Sequence, residues 1–170
     1  MTKWRHTLFA VLAGLLILGG SAASARGGGG DTRTHLSGYE EVPAISTTGE
    51  GSFRAEFSTR DDKLDYRLQY GRLSTPVEQA HIHFGQLSVN GGIAIFLCSN
   101  LGNGPVGTPP CPNSGVVRGT VTAVDVVGPA VQGIELEEFD EVVAAIKADV
   151  AYVNVHTTMF KGGEIRGQLD

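Results

Sequence analysis

The chemistry available to this 170-residue chain centres on two short stretches lying far apart in it. Ala80-His81-Ile82-His83-Phe84-Gly85 and Tyr152-Val153-Asn154-Val155-His156-Thr157 together hold three histidines. Both read as β-strand, in which side chains two residues apart share a face. His81 and His83 then point one way, with Ala80, Ile82 and Phe84 on the reverse. Asn154 and His156 likewise share a face opposite Val153 and Val155. If the two strands are neighbours, His81, His83 and His156 converge on a site sized for one ion. Imidazole nitrogen suits one copper or zinc ion, with His35 or a water as candidate fourth ligand. A structural reading competes: the same rings could satisfy buried backbone carbonyls where a sheet meets a Gly-rich loop.

Other chemistry is thinner. Glu164, Arg166 and Gln168 alternate with Ile165, Gly167 and Leu169. Glu164 and Arg166 are candidates for a carboxylate–guanidinium pair framing a site beside His156. The plainer alternative is the polar face of a terminal strand, with Arg166 paired to some neighbouring carboxylate. Glu40 and Glu41, just before Pro43, could offer a carboxylate, but their types favour the surface. No Gly-x-Ser-x-Gly elbow and no strand–Gly-loop–helix phosphate cradle occurs. Scattered acids single out no glycosidase pair. No catalytic residue is assigned, and the balance leans against an enzyme.

The elements that must position these residues are mostly short and alternating. Strands are expected over 34–42, 51–57, 64–70, 80–84, 93–97, 116–126, 151–156 and 164–169, with a polar hairpin turn at Thr59–Lys63. One stretch departs: Leu136, Phe139, Val142, Val143, Ile146 and Val150 recur at helical spacing, with acids crowding the first turns and Lys147 near the end. The expected fold is mainly β, an antiparallel β-sandwich or barrel of about eight short strands, with one amphipathic helix near residues 135–149.

The N-terminus sets the expected compartment. Lys3 and Arg5 precede the apolar run Leu8–Leu18 and then Gly19-Gly20-Ser21-Ala22-Ala23-Ser24-Ala25. That is the pattern of a cleaved signal peptide over 1–25, with Ala23 as alternative cleavage point. A flexible Gly-rich lead-in over 26–33 and a single domain over 34–170 follow. The expected protein is exported, periplasmic or extracellular, with no membrane span. The whole chain carries a net charge of −5, and losing Lys3 and Arg5 makes it more acidic. Such a balance argues against nucleic acid and anionic membrane as partners; an extracellular or periplasmic protein or ligand is left unidentified. In an oxidising compartment Cys98 and Cys111, bracketing a run of turn residues, read as a disulfide worth roughly 3 kcal/mol.

Three ordered motifs resemble a known module. Leu36-Ser37-Gly38-Tyr39-Glu40-Glu41-Val42-Pro43 resembles the opening of a CHRD domain, the module named after chordin. Ala80–Gly85 with Asn90-Gly91-Gly92 resembles its middle. Tyr152–Thr157 followed by Gly162-Gly163-Glu164-Ile165-Arg166-Gly167-Gln168-Leu169 resembles its end, the most specific piece. The resemblance implies an extracellular β-rich module, found in animal developmental proteins and free-standing in exported bacterial ones, without implying a reaction. The His-x-His strand, late histidine and disulfide are also distantly similar to copper/zinc superoxide dismutases. No bridging histidine or further zinc-ligand cluster follows His83, which weighs against dismutase activity. The sequence therefore favours a non-enzymatic exported binding module, with a single-site copper or zinc metalloprotein as the alternative.

Overall fold

Alternation of apolar and polar residues produces eight strands in the computed structural model, which describes residues 30–170. They are β1 (Asp31–Ser37), β2 (Glu50–Phe57), β3 (Leu64–Gly71), β4 (Val77–Phe84), β5 (Gly92–Ser99), β6 (Gly115–Val121), β7 (Ala151–Thr157) and β8 (Ile165–Gln168). All pair antiparallel in the order β5-β4-β7-β8-β1-β2-β3-β6. The sheet curls into a nearly closed barrel. Its seam between β5 and β6 is bridged by the Ile95–Val126 pair, the Val127 N–H to Ala94 carbonyl bond at 2.9 Å and the Tyr66 hydroxyl donating to the Leu97 carbonyl at 2.6 Å.

The core is one face of the strands. Phe53, Leu68 and Val117 form one cross-strand row inside the barrel; Ala80 with Val155 and Ile82 with Val153 do the same on the other wall. A single helix, α1 (Phe139–Lys147), adds Phe139, Val142, Val143 and Ile146 to this core. Lys147 pairs with Asp61 in the β2–β3 hairpin and lies 5.6 Å from the Phe57 ring centre, so the helix spans one end of the barrel.

Several element boundaries differ from those expected. The leader over 1–25 and the first half of the 26–33 lead-in fall outside the described residues, but Asp31–Arg33 belong to β1. They pair in register with Glu56, Ala55 and Arg54, and Thr32 is buried. The first strand stops at Ser37 rather than Val42, where a tight turn over Gly38–Glu40 begins. A Cβ on Gly38 would come within 2.3 Å of the Ile45 carbonyl oxygen.

The strand expected over 116–126 ends at Val121. There Thr122 donates from its N–H and hydroxyl to the Asp125 carboxylate, at 2.8 and 3.1 Å, and the chain leaves β3 for the free edge of β5. The helix starts at Phe139, not Glu135. Glu137 sits at φ +66° with its N–H bonded to the Val126 carbonyl, and Leu136 is exposed, so the apolar stripe begins one turn later. It ends before Asp149, at φ +58°. Cys98 and Cys111 form the expected disulfide, and Asn100 stitches the enclosed loop by bonding the Cys111 backbone in both directions.

Candidate metal centre

Two walls of the barrel differ. Along β2 and β3 buried and exposed positions alternate, as for a sheet with one wet face. Every residue of β7 is buried, and its neighbour β4 has no exposed residue. Three loops cover the outer face there: β1–β2 through Glu41, β4–β5 through Gln86–Gly91, and β7–β8 through Lys161–Gly163. Beneath them lies a second, polar core.

Register assembles it. His81 is paired with Asn154, and Asn154 with Arg166, one row across β4, β7 and β8. His83 pairs with Tyr152 and Gln79 with His156. His81, His83 and His156 are all buried and offer ligand nitrogens that lie within 4.8 Å of one another. Around one tetrahedral ion at about 2.0–2.1 Å, such nitrogens stand about 3.4 Å apart. The His81 Nδ1 to His156 Nε2 separation is already 3.1 Å.

Backbone carbonyls fix the tautomers. A carbonyl can only accept, so His156 Nδ1 carries the proton it donates to the Lys161 oxygen at 2.8 Å, and His83 Nδ1 donates to the Gly91 oxygen at 2.9 Å. In the neutral rings Nε2 of both is then a bare lone pair. Ordering the far ring nitrogen on a carbonyl is the usual support of a metal-binding histidine. His83 Nε2 and His81 Nε2 are buried without a hydrogen-bond partner. The lone pair of His156 Nε2 accepts from His81 Nδ1 at 3.1 Å and also faces Asn154 Oδ1 at 2.9 Å. The amide is held that way round because its other end hydrogen-bonds Glu41.

Electrostatics keeps the pocket electron-rich. Burial, then the proximity of His156 and His83, pushes His81 down to about 2. Burial brings His83 to about 4 despite its bond to Gly91, and lowers His156 despite its bond to Lys161. Neutral imidazoles and a converging amide oxygen make an electron-rich donor set. The cluster of His81, His83 and His156 could hold a metal ion, and Asn154 Oδ1 is positioned as a further donor.

The remaining candidates separate. His35 is exposed on β1, opposite Ser52, and is not part of the cluster. Arg166 does belong to this buried layer. Its guanidinium stacks 3.4 Å from the Tyr152 ring centre and donates to the Gln86 carbonyl at 3.1 Å, with no carboxylate within salt-bridge distance among the described residues. Glu164 is fully buried but turned elsewhere. Its Oε1 accepts from the Thr47 hydroxyl at 2.6 Å and from the Ser74 N–H and hydroxyl at 2.8 Å, and its Oε2 from the Thr157 hydroxyl at 2.8 Å. It clamps three loops together and pairs with no arginine.

Glu41 is buried, against the surface position expected, whereas Glu40 is exposed. Burial raises its carboxyl to about 7, over the lowering influence of Arg166 and hydrogen bonds from Val42 and Asn154. Its Oε1 is unpartnered. Tyr152, stacked on His83 with ring centres 4.7 Å apart, and Phe96, edge-on to His81 at 4.5 Å, wall the site. Tyr152 was legible in the same alternation that flags Asn154 and His156; Phe96 and Glu41 carry no such local signal.

The comparisons with known proteins agree with the motifs. No curated protein and no solved structure matches the chain. The model of the CHRD domain family matches residues 32–169, and the chain therefore belongs to that family.

Proposed function

We propose that this protein is an exported CHRD-domain metalloprotein that holds a single copper or zinc ion on His81, His83 and His156. The single observation that carries the reading is the pair of buried, unpartnered Nε2 atoms on His81 and His83 beside His156, whose Nε2 meets only the His81 ring and the Asn154 oxygen. An unpaired buried polar atom costs about 1–3 kcal/mol, and a cation bound in the cluster would give such nitrogens a partner. A purely structural role would leave these nitrogens satisfied by protein groups. A module that recognises a partner with its histidines would leave them exposed. Export is supported by the leader pattern over residues 1–25. Full burial of the three rings fits retention of the ion, in the manner of a closed structural site.

Calorimetric titration of the metal-stripped protein with Cu²⁺ and Zn²⁺ tests this. One equivalent should bind with sub-micromolar affinity, Cu²⁺ more tightly than Zn²⁺. The His81→Ala/His83→Ala double variant should lose that binding. Equal weak binding in both proteins would leave the histidines as structural parts of a recognition module.

A further inference from the structure

The opposite wall of the barrel carries an arrangement that its folding does not require. Arg33 on β1 is paired with Arg54 on β2, Arg54 with Arg67 on β3, and Arg67 with Arg118 on β6. Four of the chain's 13 lysines and arginines thus stand in one row across four adjacent strands, on the outer face. Neighbouring strands lie about 4.8 Å apart, so the row runs about 14 Å. Like charges directly opposite one another destabilise a sheet. Only Arg54 has a carboxylate partner, Glu56 at 2.5 Å; Arg67 donates to the Gln69 amide oxygen at 2.7 Å instead. Arg33 and Arg118 are in no ion pair among the described residues.

The flanks of the row are unequal. On one side stand Asp31, Glu56 and Asp65, paired in register. On the other stand His35, Ser52, Gln69 and Val116, with no carboxylate among them. On that second side a groove of about 490 Å³ is lined by Arg33, Arg54, Arg67, His35 and Ser52, with Asp170 as its one carboxylate against three arginines. A contiguous groove of about 310 Å³ shares His35 and Ser52 and reaches Gln69.

We infer that this groove binds a linear anionic polysaccharide, its carboxylate or sulfate groups on the arginine row and its hydroxyls on Ser52, Gln69 and His35. A pyranose unit advances an extended chain by close to one strand spacing, so successive charges match successive arginines. A flat anionic membrane would be repelled by the parallel acidic row. Single-stranded nucleic acid needs aromatic platforms for its bases, and no exposed aromatic ring stands on these four strands.

The test is affinity electrophoresis of the whole exported protein, with chelator present, against dextran sulfate, alginate, neutral dextran and an oligothymidylate. Retardation by dextran sulfate or alginate, weakening as salt rises, is expected, and which of the two binds assigns sulfate or carboxylate. The Arg33→Gln/Arg67→Gln/Arg118→Gln variant should lose at least ~10-fold in affinity through fewer counterions released. Its melting temperature should hold or rise, because repulsion is relieved. Arg60→Gln, in the distant hairpin, should bind as the parent does. Single Arg33→Gln and Arg118→Gln variants replace the triple one if it fails to fold. No retardation by either polyanion at low salt would overturn the inference. So would equal loss in Arg60→Gln, or oligothymidylate binding as tight and as arginine-dependent.

Discussion

At the scale of single residues, the site is marked by two buried ring nitrogens, His81 Nε2 and His83 Nε2, that have no hydrogen-bond partner. The spacing of His81, His83 and His156 made the convergence legible, because strand alternation alone puts each pair on one face. Asn154 was legible on the same ground. Glu41 was not: its burial depends on the β1–β2 loop folding over β7, a long-range event that no local pattern records.

Titration exposes the same residues. In the metal-free protein the folded-state values of all three histidines lie below the ordinary 6.5. The unfolded chain therefore binds more protons below pH 6.5, and stability falls as pH drops through that window. His81 and His83 each withdraw roughly 1 kcal/mol by pH 5.5, and His156 acts in the same direction. Glu41, raised from 4.5 to about 7, acts with the opposite sign, adding stability as pH falls from 7 to 4.5. The net expectation from urea melts is a loss on going from pH 8 to 5.5. Glu41→Gln should be more stable than the parent at pH 8, by on the order of 1 kcal/mol, and steeper in its acid loss. An acid-stabilised metal-free protein would contradict the neutral-imidazole reading.

At the scale of elements, the strands followed from alternation and their ends did not. β2 and β3 alternate inside the Thr59–Lys63 hairpin, so sequence and structure agree there to within a residue or two. The helix and sixth strand shift because Glu137 and Thr122 make local turns whose purpose is tertiary, joining the chain to β5. The β7–β8 loop depends on Gly163, at φ +128°, where a Cβ would meet Glu41 Oε1 at 2.2 Å and Asn154 Nδ2 at 2.9 Å. Gly163→Ala should both destabilise the fold, by on the order of 1–3 kcal/mol, and weaken metal binding, since Asn154 and the loop that orders His156 move together. Phe139→Ala, removing the first buried ring of α1, should cost about 3–5 kcal/mol in denaturant melts while leaving metal stoichiometry at one.

At the scale of the whole molecule, one barrel presents two unlike walls. The β4-β7-β8 wall is roofed by loops over histidines; the β1-β2-β3-β6 wall is open and carries the arginine row. Because the site is built only by the folded chain, an ion bound there is linked to folding. Metal at 100 times its dissociation constant should stabilise the protein by about 2.7 kcal/mol, read as a rise in melting temperature that the His81→Ala/His83→Ala variant does not share. That rise ties the loops, the barrel and the ion into one cooperative unit.

The central claim is that three histidines from two strands hold one ion, and crystallography at the metal's absorption edge tests it most directly. For crystals of the Zn²⁺- or Cu²⁺-loaded protein, a single anomalous peak is expected about 2.0–2.1 Å from a ring nitrogen of each of His81, His83 and His156. A peak at any other residues, or none in this buried cluster, would contradict it.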